Sequence, residues 1–568
     1  MAVDGDVAVN VDVFWVSTNT EFITRGYYDC AFLESILLNQ LWEPVSKFTF
    51  VNHDVRGEFP HHNGAVVCFS GMGNAANAEW LISEIDKMPW ALVIIIGNEM
   101  WDFPWRDIPE TATRRVWVMN PTPEHAGLSN RIPGGWYPDT RQEIAQFSDK
   151  AGNRQFDWFF AGQVTNVRRK ACVNQLRRLG RGKLIETDRF LGGVPSIEYA
   201  EYEVMSKAVP SPSGPMTLDA NRPLSAMEAG CVPILDLRKP QDPQFDYWEL
   251  VFGPNYPMPI VYEWNEVHAQ IDEIVKAWPQ SSNTVYAWWQ QWKRRTIQQL
   301  HDDIAAISGL RPAQREVDRI TVVITSSPIP SHPDLWCLEE TIKSVRDRLS
   351  DVQIVVVFDG VRPEQQHLAA DYNEYIRRCL WKSNFEWHNV LPVVMPSWGH
   401  QANSTRYALQ FVNTPNMLFM EHDTPLVGEV PWNELIDQID GGIANVIRLH
   451  QDVEIHVDHE RVMLDAAPQN INGVPMRRSA AWWQRPHLAS TEFYRHMIDT
   501  YFHPDSRTMI EDRIYSIMWI DCVDRRHGWD RWKVWVYTPE GDIRRSGHLD
   551  GRAGAPKFDM LFEPKAQK

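Results

Sequence analysis

The chain has 568 residues, too many for one hydrophobic core, so two or three domains are expected. Hydrophobic residues make up 43% and charged residues 23%, as in an ordinary soluble globular protein, and a net charge of -18 argues against a nucleic-acid substrate unless a local basic patch compensates. The 7 cysteines include no CxxC pair, which excludes a disulfide framework and a zinc ribbon and suits a reducing compartment.

The first residues, MAVDGDVAVNVDVFWV, are acidic and lack the basic region of a secretory signal. The longest clean apolar stretch, WALVIIIG around Ile95, is far short of a membrane span. A soluble, cytoplasmic protein is expected. From there short apolar runs alternate with amphipathic stretches. DVFWVST, GAVVCFS, ALVIIIGN and RRVWVMN read as strands, with FLESILLNQLW and AEWLISEIDKM as helices between them. Such alternation implies parallel sheets covered by helices. A second series starts at Phe156 with the strand FDWFFAG, the helix NVRRKACVNQLRRLG and the strand CVPILDL. A long helical stretch from Asn283, the polar segment RPAQREVD and an abrupt restart at Arg319 follow. Breaks near 150 and 315 divide the chain into three lobes, 1–150, 151–315 and 316–568.

Within the second lobe, YEVMSKAVPSPSGPMTLDANRPLSAMEAGCVPILD (202–236) carries a Gly-containing loop followed by an Arg and a Glu. A glycine loop at a helix start offers amides to an anion, Arg222 suits a phosphate, and Glu228 suits ribose hydroxyls. A plain helix, glycine cap and buried strand would also produce AMEAGCVPIL. Upstream, Arg168, Arg169, Lys170, Arg177, Arg178, Arg181 and Lys183 form a local basic strip. The loops TRGYYD (24–29) and GNEMWDFPW (97–105) are looser candidates for an acceptor side.

In the third lobe RITVVITSS and DVQIVVVFDG are buried strands ending in polar residues, at the strand ends where parallel sheets bind ligands. Asp359 there is either a nucleoside contact or half of an Asp-Gly turn. NMLFMEHDT supplies another buried strand, ending in Glu421-His422-Asp423. SRTMIEDRIYSIMW opens an amphipathic helix with Glu511 and Asp512, and RRSGHLDGRAG places His548 in a polar loop. Hard oxygen ligands and an imidazole suit Mn²⁺ or Mg²⁺, and a carboxylate suits a general base. Trp482, Trp483, Arg485 and His487 read either as a sugar-stacking acceptor platform or as a buried tryptophan pair with a surface arginine.

The order of these elements over 319–550 resembles GT-A glycosyltransferases of the inverting, family-2-like kind. That resemblance implies donor contacts from Thr325, Ser326, Ser327, Asp359 and Glu421. It implies a divalent metal, Mn²⁺ or Mg²⁺, on Asp423, Glu421 and His548, with Glu421 replacing the usual first Asp of the metal motif. It implies a base at Glu511 or Asp512, and a UDP- or GDP-sugar as co-substrate. Residues 155–240 resemble the donor lobe of exostosin-like glycosyltransferases of GT-B type, through Ser206, Lys207, Gly214, Arg222, Glu228, Gly230, Cys231 and Pro233. The expected fold is thus α/β: two Rossmann-like lobes in a GT-B-like pair, then a GT-A domain with a mixed, mostly parallel sheet. The expected activity is transfer of a sugar to a hydroxyl of a glycan or protein acceptor, favoured over nucleic acid, with a second transferase activity open for the GT-B half. The rival expectations are a carbohydrate- or nucleotide-binding protein with decayed catalysis, and a phage-type enzyme that glycosylates DNA bases.

Overall fold

The computed structural model describes residues 11–17, 28–36, 48–52, 64–70, 78–97, 105–187, 193–214, 218, 220–237, 246–310, 319–524 and 528–549. The loops 24–27 and 98–104, and the segment RPAQREVD, lie outside the described residues. The chain is mixed α/β and forms two compact units, Met1–Ala313 and Gln314–Lys568.

The first unit holds two parallel, Rossmann-like sheets, in agreement with the alternation of strands and helices in the sequence. One has the order β2-β1-β3-β4-β5-β6, built from β1 (Asp12–Ser17), β2 (Phe48–Asn52), β3 (Ala65–Ser70), β4 (Ala91–Ile96), β5 (Arg114–Met119) and β6 (Asn130–Ile132). The other has the order β11-β10-β9-β7-β8, from β7 (Phe156–Gln163), β8 (Gly182–Thr187), β9 (Ser206–Ser211), β10 (Val232–Asp236) and β11 (Ile260–Val261). β3 and β4 are buried along their whole length, as strands covered by helices on both faces must be.

The helix Gln280–Ser308 serves both sheets. Its Asp303 accepts from Trp117 Nε1 of β5 at 2.8 Å, while Trp289 and Lys293 bond Glu228 beside β10. It ends at Gly309, whose φ of 70° permits the closing bond from its amide to Ala305 O.

The second unit holds one larger mixed sheet in the order β14-β13-β12-β15-β19-β16-β20-β18-β17. Its members are β12 (Ile320–Ser326), β13 (Gln353–Phe358), β14 (Val390–Val394), β15 (Asn416–Glu421), β16 (Val446–Arg448), β17 (Gln469–Ile471), β18 (Val474–Arg478), β19 (His487–Ser490) and β20 (Val534–Tyr537). From β14 to β15 every pairing is parallel. Beyond β15 the pairings are antiparallel except for β16 with β20. The β-branched runs ITVVITS and QIVVVF fill the centre, and each buried Val or Ile contributes roughly 1.5–3 kcal/mol. Since β19 runs antiparallel to both β15 and β16, those two strands point the same way. Their last residues, Glu421 and Arg448, therefore reach the same edge of the sheet.

Candidate functional site

At that edge the strands end in polar side chains, each fixed by a different device. Asp359 follows β13. Its Oδ1 accepts from the amides of Gly360 and Gly399, both at 2.8 Å, and its Oδ2 accepts from the amide of His400 at 3.0 Å. Gly399 and His400 begin the helix His400–Leu409, so Asp359 caps a helix from across the sheet. Gly360 is more than a turn residue. A Cβ there would overlap the backbone of Ser397 and Trp398, which brings the helix start onto the strand end. Burial lifts the Asp359 carboxyl above its ordinary value, against the pull of the three amides. The Ser404 side chain is a fourth group that holds this carboxyl down, so Asp359 is engaged by the loop and helix start that it shapes.

Glu421 is the last residue of β15. Its Oε1 accepts from Gln401 Nε2 at 3.0 Å, and Gln401 Oε1 accepts from the amide of Ile510 at 3.0 Å. Gln401 thereby ties β15 to the start of the helix Ile510–Trp519, which carries Glu511 and Asp512 in its first turn. Glu511 Oε2 accepts from the Gln484 amide at 2.9 Å, whereas Asp512 is exposed. Asp512 also bears on His400, where its charge opposes the downward pull of burial and Arg362.

Asp423 is 8% exposed, and its Oδ2 lies 3.6 Å from His548 Nε2. The late loop is stitched on by the Leu549 amide to Asp423 O and the Gly547 amide to Pro425 O, each at 2.7 Å. Among the described residues no three His, Cys, Asp or Glu side chains gather closely enough to hold a metal alone. The Asp423–His548 pair suits an ion that takes two protein ligands and completes its shell with substrate phosphates and water. Glu421 does not gather with this pair into a three-ligand group among the described residues, and its Oε1 is engaged by Gln401.

Several other residues named from the sequence sit elsewhere. Ser326 is buried with its hydroxyl 3.2 Å from Tyr375 Oη, so it faces a tyrosine cluster instead of a donor. Thr325 is buried just beneath it, and Ser327 is half-buried at the lip. Trp482 is 2% exposed and belongs to the hydrophobic core. His487 is also buried, clustered with the near-parallel rings of Phe419 and Tyr494, and burial pulls it down to about 4. These two are core residues and cannot form an acceptor platform. His487 opens β19, which has only four residues and follows Pro486, and this hid it in the sequence. Trp483 and Arg485 stay half-buried.

In the first unit the residues expected to touch a donor are consumed internally. Glu228 is 0% exposed; its Oε1 meets Arg141 and its Oε2 accepts from Lys293 Nζ and Trp289 Nε1, both at 2.7 Å. Burial alone would raise this carboxyl, but Lys293 and Arg141 hold it at about 2. Arg222 donates from Nε and Nη2 to Ala161 O, both at 3.1 Å, with its guanidinium over Phe160. Lys207 stands at the N-terminal end of β9 and bonds Asp157 at 2.9 Å, at the sheet end opposite the ligand edge. Gly214 is half-buried after β9. A cavity of about 320 Å³ does open at the carboxyl ends of β7 and β8, lined by Tyr137, Gly162, Thr187, Tyr199, Glu203 and Ser225.

The basic strip is dispersed. Arg168 is buried on Asp236, Arg177 pairs with Glu186 and Arg181 with Asp157. No described helix is long and apolar enough to cross a membrane.

Two residues of the C-terminal edge were not singled out from the sequence, Gln401 and Arg448. Arg448 ends the short apolar run NVIR just as Glu421 ends NMLFME, and that parallel was a readable signal.

No protein-family model matches the chain, and no curated protein does. Solved structures with partial likeness include S. aureus TarS, at 12% identity and TM-score 0.27, over 40% of this chain and 36% of that one. TarS 1–349 in complex with UDP-GlcNAc aligns at 12% identity and TM-score 0.25, over 42% and 60%. The mannosyltransferase PcManGT from Pyrobaculum calidifontis, in complex with GDP-Man and Mn²⁺, aligns at 10% identity and TM-score 0.26, over 40% and 56%. The chain thus spans less than two thirds of the length of each, and likeness at this level fixes no activity.

Proposed function

We propose that residues 316–568 are a metal-dependent, inverting glycosyltransferase domain of GT-A type, using a UDP- or GDP-sugar. The observation that carries the reading is the convergence on one sheet edge of Asp359, the Asp423–His548 pair and the Glu511-Asp512 helix start, linked through Gln401. Asp359 would hold the loop at the strand end against which the nucleoside lies, beside Ser327. Asp423 and His548 would hold Mn²⁺ or Mg²⁺, which when bound neutralises the leaving diphosphate. Asp512, exposed and unencumbered, takes the proton of the acceptor hydroxyl as its oxygen attacks the anomeric carbon. The bond from that carbon to the diphosphate oxygen breaks on the opposite face, so the configuration inverts. Glu511, held by the Gln484 amide, positions the helix start. A glycan or protein hydroxyl is the favoured acceptor; the dispersal of the basic strip weighs against DNA.

For residues 1–315 we favour a GT-B-like pair in which the lobe 1–150 takes the acceptor side and 151–315 the donor side, acting as a binding module. The internal engagement of Arg222 and Glu228 supports binding over a second transfer activity, and the cavity beside Glu203 is where a ligand would enter. The test is nucleotide release from UDP-, GDP- and TDP-sugars with Mn²⁺. One donor turned over by the wild type but not by Asp512→Asn supports the reading. Turnover that survives Asp512→Asn but fails with changes around the Glu203 cavity moves the chemistry to the first unit.

A further inference from the structure

Two strands beyond β15, on the side of the sheet away from β12 and β13, lies a buried cation with no salt-bridge partner among the described residues. Arg448 ends β16 and is 3% exposed. Its Nη1 is enclosed and has no hydrogen-bond partner among the described residues. Its guanidinium carbon lies over the Trp483 ring, 3.8 Å from the centroid. The other side of the cluster is His459, whose ring centroid is 4.3 Å from Trp483 and whose Nδ1 is likewise enclosed and unpartnered. Burial pulls Arg448 down to about 9, opposed by Glu511 and reinforced by Arg485. His450 and His456 add imidazoles to the group, and Asp452 is the acid that bears on it besides Glu511.

A buried guanidinium left unpaired costs several kcal/mol, and a planar anion accepting two N–H bonds removes that cost. The position says whose anion it is. Neighbouring strands are about 4.8 Å apart, so Arg448 stands roughly 10 Å across the sheet from Glu421. It is on the side of the carboxylate pair, where the acceptor hydroxyl must approach, and away from Asp359.

Resting on the transferase reading above, we propose that Arg448, stacked on Trp483 beside His459, is an anion subsite for an acidic acceptor. The acceptor unit would carry a carboxylate or phosphate close to the hydroxyl that receives the sugar. Trp483 holds the guanidinium in place through its ring face. The local cations offset the repulsion that a chain of net charge -18 exerts on such a molecule.

The test is calorimetric titration of the full chain with glucuronate, glucose 6-phosphate and neutral glucose, each with and without saturating UDP or GDP and Mn²⁺. The expected result is binding of one or both acidic sugars but not of glucose, undiminished by nucleotide. Arg448→Gln weakens it by roughly tenfold or more, and Arg448→Lys by less. Arg448→Lys retains the charge, so it reports even if Arg448→Gln fails to fold. Displacement of the acid by nucleotide would give Arg448 to the donor diphosphate and overturn the proposal. So would equal binding of glucose, or unchanged binding in both Arg448 variants. Failure of the transferase reading looks different: neither nucleotide binds with Mn²⁺, while the acidic sugar still depends on Arg448.

Discussion

Gln401 donates to Glu421 through Nε2 at 3.0 Å, and this single contact joins the strand that presents Asp423 to the helix that presents Asp512. The same amide accepts from Ile510, so its two ends serve the two halves of the proposed chemistry. Replacing it with Leu removes both bonds and leaves a half-buried carboxylate and a helix-start amide without them. Gln401→Leu should cost about 1–3 kcal/mol and lower the unfolding midpoint by several degrees in a calorimetric scan. An unchanged midpoint would mean the bridge is not formed in solution.

The two neighbouring acids should separate by role. Asp512→Asn should reduce transfer by roughly 100-fold or more while donor binding stays as it was. Glu511→Gln keeps an oxygen for the Gln484 amide and should retain a larger share of the rate. Steady-state kinetics with a fixed donor decide between them; the reverse order would make Glu511 the base.

In the first unit, Glu228→Gln leaves Lys293 and Arg141 around a neutral side chain. Removing one member of such a buried set costs about 3–5 kcal/mol. Denaturant unfolding should show that loss, with little change in nucleotide turnover by the second unit. Selective loss of donor turnover with intact stability would return Glu228 to the ligand role expected from the sequence.

Glu203 gives a pH test. Burial raises its carboxyl from 4.5 to about 8, against the hydrogen bond from Ser225 and nearby arginines. The folded chain therefore holds a proton that the unfolded chain releases above about 4.5. The stability tied to that proton is fully present below 4.5 and is lost as pH rises toward 8, with a slope of about 1.4 kcal/mol per unit. Glu203→Gln should flatten this part of the profile in urea unfolding from pH 5 to 9. Parallel profiles for the two proteins would contradict it.

What could be read from the sequence follows from how local each feature is. ITVVITS, QIVVVF and NMLFME are apolar runs long enough to declare buried parallel strands, and polar residues at their ends mark the ligand edge. The alternation also yields the two parallel sheets of the first unit. The side-chain partnerships were out of reach, because they join distant positions. Glu228 meets Trp289 and Lys293, 61 and 65 residues away, and nothing near AMEAGCVP announces that its acid is spoken for. β19 was hidden for another reason: four residues after a proline carry too little periodicity to separate a core strand from an exposed platform. Asp359 shapes a loop through Gly360 and Gly399, as the Asp-Gly turn reading expects, and its contact with a nucleoside is part of the proposal.

The central claim is that Asp423 and His548 hold a divalent ion for a nucleotide diphosphate. The most direct measurement is the affinity of the full chain for UDP and for GDP, by calorimetry, with Mn²⁺ and with chelator, in the wild type and in Asp423→Asn. One nucleotide should bind with Mn²⁺ and be weakened by roughly tenfold or more either by chelation or by Asp423→Asn. Binding that ignores both the metal and Asp423 would contradict the claim.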